Sequence, residues 1–497
     1  MAVTKIVHPT VTDRQASGRT ARAGTPPSSH TGWRPAADRP DPVALLEEQN
    51  ITREPDLVPV RHGRMMVSPF TFYRGAAKIM ATDLAATPTA GLTVQLCGDA
   101  HLSNFGAFAS PERRLLFDLN DFDETLPGPF EYDVKRMATS FTIAARNNGL
   151  SPADAVTVTG ASVRAYREAM AGFARMRTLD VWYAHRDEDD IRSAMSRTAT
   201  GKSAAKPGET AKSAKGAKSA KPGKKTRAGD LDAIKRAEKN LRKAHTRDSL
   251  QALSKLGEIV DGQYRIVSQP PIVVPARELQ QRYGLTAEQT EQRIRDQFRD
   301  YRATLQHDRR HLLAEFRIVD MARKVVGVGS VGSRAFIVLL QGRDDQDPLF
   351  LQVKEATRSV LEDSLPKSRF RNPGERVVQG QRMMQASSDI FLGWTKGAQA
   401  DRYFYWRQLR DMKGSALVEL MSRSVLEQYA GLCGWTLARA HARSGDRVAI
   451  AEYLGTGEDF DLAITDFAQR YVNQNDQDHQ ALLGAIRSGR LPAVEGI

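Results

Sequence analysis

The residues best suited to chemistry lie in Cys97-Gly98-Asp99-Ala100-His101-Leu102-Ser103-Asn104. An Asp in a short turn can orient or deprotonate a hydroxyl, and an Asn five positions on can help hold a metal ion on phosphates. Asp99, His101 and Asn104 are therefore candidates for a catalytic loop. Downstream, Leu115-Leu116-Phe117 reads as a short buried strand delivering Asp118, with Asp121 and Asp123 just beyond. An apolar strand that ends in a carboxylate places a hard oxygen ligand where Mg²⁺ can bridge phosphates. Asp118 and Asp121 both qualify, and the spacing does not choose between them. The alternative is that these acids cap a turn and pair with Lys135 and Arg136.

GDAHLSN followed by LLFDLND resembles the G-D-x-H-x-x-N loop and I-D-[WF] strand of aminoglycoside and choline phosphotransferases, the small-molecule branch of the protein-kinase-like fold. The longer string CGDAHLSNFGAFASPERRLLFDLNDFDE also resembles an uncharacterised bacterial domain-of-unknown-function family, over most of the chain. The phosphotransferase resemblance implies that Asp99 is the catalytic carboxylate with His101 beside it, Asn104 a metal ligand and Asp118 the principal one. The chain departs from that pattern at Cys97, where those enzymes commonly carry His. Asp121-Phe122-Asp123 copies Asp-Phe-Gly without its Gly. Asp133, in Glu131-Tyr132-Asp133, resembles the Tyr-Asp-Leu-Ala element, with the structural task of accepting hydrogen bonds that fix the loop.

A second cluster lies far downstream, where residues Gly327, Gly329 and Gly332 spell G-x-G-x-x-G. In a dinucleotide fold such glycines open a helix whose N-terminus receives pyrophosphate. In a kinase they form a hairpin over the ATP phosphates. The next residues, Arg334 to Leu340, are β-branched and apolar, which is strand chemistry. A further strand, Leu349 to Val353, delivers Lys354. Strand, glycine hairpin, strand, turn and a strand with Lys read as a kinase small lobe, with ATP as the cofactor. A helix opening at Asn372-Pro373-Gly374 offers Glu375 as the acid partner of Lys354, with Glu362 second. Ile390 to Trp394 and Tyr403 to Trp406 read as the remaining strands.

The order is inverted relative to a kinase, because Asp99 precedes Gly327. Circular permutation accounts for this, since domain termini tend to be exposed and close together. Leu437-Ala438-Arg439-Ala440-His441 resembles the Leu-Ala-x-Leu-His helix that directly precedes the catalytic loop in aminoglycoside phosphotransferases. The expected fold class is thus α+β, a permuted two-lobe kinase-like fold. Residues 1–40 form a disordered tail. Residues 41–320 hold the first part of the helical large lobe, with a flexible insertion at 197–229. Residues 321–412 form the nucleotide-binding small lobe, and 413–497 complete the large lobe.

Composition bounds the partners. The net charge of +13 suggests nucleic acid, but Gly201 to Arg227 alone carries eight Lys, one Arg and one Glu, leaving only +5 elsewhere. That Lys-rich stretch has no aromatic residue to stack a base, so no specific nucleic-acid site is expected. No apolar run approaches the roughly 18 residues of a membrane span. The opening Met1 to Ile6 has no apolar signal core, and the two cysteines, Cys97 and Cys433, form no disulfide framework. A cytoplasmic location is expected. The reading is an ATP- and Mg²⁺-dependent phosphotransferase acting on a small-molecule hydroxyl acceptor that the sequence does not name. The alternatives are a nucleotide-binding pseudokinase and a nicotinamide-dependent oxidoreductase built on Gly327 to Gly332. Nucleotidyl transfer is a variant of the first.

Overall fold

The computed structural model describes residues 8–193, 228–260, 262–280, 284, 286–398, 401–409 and 412–496. The expected flexible insertion at 197–229 lies outside these residues, except for Ala228 and Gly229, which begin a helix. The architecture is mixed α and β.

The strands in chain order are β1 (Thr93–Leu96), β2 (Phe105–Ala109), β3 (Leu115–Leu119), β4 (Leu126–Pro129), β5 (Arg186–Asp187), β6 (Gly257–Val260) and β7 (Gln263–Ile266). They continue with β8 (Val273–Pro275), β9 (Arg317–Lys324), β10 (Ala335–Gln341), β11 (Pro348–Ala356), β12 (Gly393–Lys396), β13 (Tyr403–Gln408) and β14 (Gly414–Ser415). The largest sheet is antiparallel with the order β12-β13-β11-β10-β9-β8. A four-stranded sheet, β14-β2-β3-β5, lies apart from it, and β1 pairs with β4.

β10 is apolar along its length because both faces of its sheet are covered. Its side chains alternate, as the pleat requires. Val338 and Leu340 pack with Tyr301 and Phe298 of the Ala287–Ala303 helix on one face. Ile337 and Leu339 pack with Leu253 and Leu256 of the Ser249–Leu256 helix on the other. Helices of residues 249–314 thus pack on the sheet. Their apolar stripe is matched by the sheet.

The helical core takes elements from both ends of the chain. Phe130–Asn147 and Pro152–Arg175 pack with Arg423–Ala442 and Asp459–Arg487 around Phe141, Tyr166, Leu437 and Phe467. A Cβ on Gly434 would stand 2.2 Å from the Ser162 carbonyl, so only glycine lets those two helices come so close.

Residues 8–40 are ordered, contrary to expectation. Thr10 and Asp13 form a capping box at the start of the Val11–Gly24 helix. Gly18 packs that helix onto Ala449. Arg39 then bridges Asp83 and Asp478, at 2.6 Å from each. Long-range contacts supply the order that this polar composition conceals. Two helical stretches are each split in two. Ser68–Leu84 breaks at Ala76. The 230–256 helix breaks before Asp248, which caps the second piece by accepting from Gln251 N at 2.9 Å. Gly257 opens β6.

Candidate functional site

β1 ends at Leu96, and after Cys97 Gly98 turns the chain with φ +85, a conformation open to glycine. Asp133 fixes this turn. Its carboxylate accepts from Cys97 N at 2.6 Å and Gly98 N at 2.9 Å, while His441 Nε2 lies 3.1 Å away. Tyr166 holds the other ring nitrogen of His441 at 2.9 Å. Asp133 is thus the brace that the sequence suggests.

Asn104 is buried and its amide is spoken for at both ends. Nδ2 donates to the Asp99 carbonyl at 3.0 Å and the Asp121 carbonyl at 2.9 Å, and Oδ1 accepts from Asp121 N at 2.7 Å. Its oxygen keeps one lone pair. Asn104 therefore ties the Asp99 turn to the strand end that carries Asp121.

The register of β2 with β3 separates the two candidate carboxylates. Asp118 sits opposite Gly106 inside β3 and is fully buried. It pairs with Arg439 and accepts from Ala386 N at 2.8 Å. Asp118 is not among the residues that line the cleft. A side chain within a buried strand points to the core, whereas Asp121 lies beyond the last paired residue and is free to turn outward. Asp121 lines the cleft.

Lys354, on β11, closes the arrangement from the opposite side. Its Nζ lies 3.1 Å from Asp121 Oδ1 and 2.7 Å from Asp123 Oδ2. Tyr405 OH donates to Asp123 Oδ1 at 2.6 Å. Burial opposes the charge on Lys354, but Asp121 and Asp123 outweigh it and hold its pKa above the ordinary value. Burial likewise opposes the Asp121 charge, and Lys354 and Arg407 hold its pKa below the usual range.

Glu375 is not a partner of Lys354. It sits in the first turn of the Pro373–Met384 helix, whose cap Asn372 accepts from Gly374 N at 2.8 Å. Arg376, next to it, reaches inward instead and donates to the carbonyls of Asp123 at 2.7 Å and Thr357 at 2.9 Å.

The glycine segment joins β9 to β10, and β10 is a strand from Ala335 to Gln341. The helix that a dinucleotide fold needs after Gly332 is not there. Gly327 and Gly332 have φ of +63 and +89. Gly327 and Gly329 line the cleft, while Gly332 is backed by the stem of Arg53. The segment is bolted from the N-terminal side. Arg64 donates to the Gly327 carbonyl at 2.5 Å, Glu54 N to the Gly332 carbonyl at 2.8 Å, and Arg53 to the Val331 carbonyl.

Asp99, His101, Asn104 and Asp121 thus meet Gly327 and Gly329 around one cavity of about 370 Å³, within the size range of small-molecule sites. Asp99 Oδ1 is held by Arg136 Nε at 2.8 Å and Nη2 at 2.7 Å. His101 Nε2 lies 3.7 Å from Asp99 Oδ2. Burial lowers the His101 pKa to about 4, so the ring is neutral at pH 7. Arg53, Arg74, Asp123 and Lys413 also line the cavity. Burial and Arg407 push Lys413 down to about 7. Asp123 stands in the Asp121-Phe122-Asp123 segment read from the sequence, but Arg53, Arg74 and Lys413 were not singled out, because each is an isolated residue in a segment without a motif.

Among the described residues, no group of three or more His, Cys, Asp and Glu side chains is arranged to hold a metal ion. Two adjacent carboxylates, Asp121 and Asp123, still suit Mg²⁺, which binds through one or two carboxylates together with substrate phosphates. No described helix is long and apolar enough to cross a membrane.

Fold and site together define an α+β protein with one polar cleft shared by a six-stranded sheet and a helical core. The chain belongs to the family described as "uncharacterized protein conserved in bacteria (DUF2252)", which matches residues 53–229 and 213–485. No curated protein and no solved structure gives a match.

Proposed function

We propose that this chain is an ATP-dependent phosphotransferase with a circularly permuted kinase-like architecture, acting on the hydroxyl of a small molecule. The observation that carries the proposal is the meeting of two distant segments. Asp99, Asn104 and Asp121 come from one, Gly327, Gly329 and Lys354 from the other, and Lys354 reaches Asp121 at 3.1 Å. A glycine turn between two strands, a Lys on the next strand and a helix after it fit a kinase small lobe. The permutation is supported at its join. Gln95 N donates to Ser444 Oγ at 3.0 Å, so the Arg423–Ala442 helix ends beside the strand that enters the catalytic loop. One departure stands: the acids on Lys354 are Asp121 and Asp123, not a helix Glu.

In this reading Lys354 neutralises phosphate charge and the glycine segment lets backbone amides approach. Asp121 and Asp123 would hold Mg²⁺, which supplies further charge neutralisation. Asp99, anchored through Oδ1 by Arg136, would orient the acceptor hydroxyl with Oδ2. A nucleotide-binding module without transfer is the second reading, favoured by the occupation of Asp99 by Arg136.

Calorimetric titration of ATP, with and without Mg²⁺ and with NAD as control, tests the proposal on wild type and Asp121→Ala. Mg²⁺-dependent ATP binding that weakens in the variant supports it. No ATP binding, or a preference for NAD, would sink it. ATP binding without transfer to any hydroxyl acceptor would select the second reading.

A further inference from the structure

Among the described residues, two cations that line the cleft, Arg74 and Lys413, make no side-chain hydrogen bond or ion pair, and of the two Arg74 has a donor shut off from solvent. Arg136 is engaged by Asp99, Lys354 by Asp121 and Asp123, and Arg53 by the Val331 carbonyl. Arg74, in the last turn of the Pro69–Gly75 helix, forms no ion pair and its side chain makes no hydrogen bond. Its Nε is shut off from solvent and unpaired. Burying a guanidinium without a hydrogen-bonding partner costs free energy, and an anionic ligand that supplies the partner recovers it.

Its position says which anion. The Arg74 carbonyl would stand 2.9 Å from a Cβ on Gly329, so the glycine segment passes directly over this residue. Asp99 and His101 line the same cavity and interact electrostatically with Arg74. Burial lowers the Arg74 pKa, with Asp99 and Glu419 opposing at longer range. A guanidinium between a glycine turn and a hydroxyl-orienting carboxylate stands where a nucleotide's terminal phosphate meets its acceptor.

We propose that Arg74 forms an anion subsite that grips the terminal phosphoryl group of the bound nucleotide. This rests on the phosphotransferase reading and adds a residue to it. In transfer, the bond from the terminal phosphorus to the β,γ-bridging oxygen breaks and ADP leaves. A new phosphorus–oxygen bond forms to the acceptor, whose proton passes to Asp99. Arg74 stabilises the charge on the phosphoryl oxygens as they separate from ADP, a planar fork suited to two of them at once.

The test uses the full chain with Mg²⁺ and two nucleotides, ATP and ADP, titrated into wild type, Arg74→Ala and Arg74→Lys. Release of inorganic phosphate, with water as acceptor, is followed in parallel. Arg74→Ala is expected to weaken ATP about tenfold or more and leave ADP unchanged. Phosphate release should fall by roughly 10³, the lower end of what a phosphoryl-binding arginine contributes. Arg74→Lys should restore part of the ATP preference. The guanidinium has no partner in the fold, so neither variant should lower the unfolding midpoint. Unchanged ATP and ADP affinities in Arg74→Ala would overturn the role of Arg74 alone. Equal weakening of both nucleotides would also overturn it, because it would place the residue away from the terminal phosphate. Wild type that binds neither nucleotide would overturn the phosphotransferase reading, and this subsite with it.

Discussion

Lys354 Nζ lies 3.1 Å from Asp121 Oδ1, although 233 residues separate them in the chain. Asp118, three residues before Asp121, faces the opposite way and pairs with Arg439. The two carboxylates should therefore fail differently. Asp121→Asn should keep the fold, because Asp123 still satisfies Lys354, and should lose Mg²⁺-dependent ATP binding. Asp118→Ala should leave Arg439 buried without a counter-charge and cost about 3–5 kcal/mol. Urea unfolding and calorimetry on both variants check this. Equal stability of the two would contradict the assigned orientations.

Asp99→Asn should reduce transfer by about 10²–10⁴, the range for losing a positioned acid–base group, with ATP affinity close to wild type. Single-turnover transfer and equilibrium binding separate the two effects. Wild-type turnover in the variant would rule out the role given to Asp99.

Arg39→Ala should destabilise the whole protein and not only its N-terminus. Asp83 and Asp478 are both buried against Arg39, and Tyr471 donates to Asp83 at 2.8 Å. Removing the guanidinium leaves two carboxylates short of a counter-charge, at about 3 kcal/mol or more. A denaturation midpoint equal to wild type would show that residues 8–40 are not integral to the core.

His101 should make stability depend on pH. Its pKa falls from 6.5 to about 4 on burial, so between those values the unfolded chain binds the proton and the folded chain does not. The stability of the neutral ring is complete above about 6.5 and is lost as pH falls toward 4. His101→Gln lacks this titration. The stability of wild type relative to the variant should therefore drop as pH is lowered across that window. A difference that stays constant from pH 7 to 4 would contradict it.

Cys97 and Cys433 should be inert in the native state. Both are buried, and burial raises both thiol pKa values well above the ordinary one. A thiol reagent at neutral pH should label them only on unfolding. Rapid labelling of native protein would mean that the catalytic-loop segment opens on its own.

Local patterns were legible in the sequence because they rest on near neighbours. The strands that hold Lys354 and Asp118 follow from their apolar runs and the turns that bound them, and the Asp133 brace from the resemblance of Glu131-Tyr132-Asp133 to the Tyr-Asp-Leu-Ala element. The mixed α and β class follows from the same signals. The packing of 249–314 on the sheet and the order of 8–40 were not legible, because docking surfaces on other segments decide both.

The sequence by itself determined which residue types could do chemistry and on which kind of element each stands. Only the tertiary structure decided which of them share a cleft. It turned Asp121 rather than Asp118 toward Lys354, gave Lys354 two aspartates instead of Glu375, and left Arg74 unpaired beneath the glycine segment. Helix and strand periods come from backbone geometry a few residues long. Contacts across hundreds of residues depend on how the finished surfaces fit, and no spacing in the chain encodes that directly.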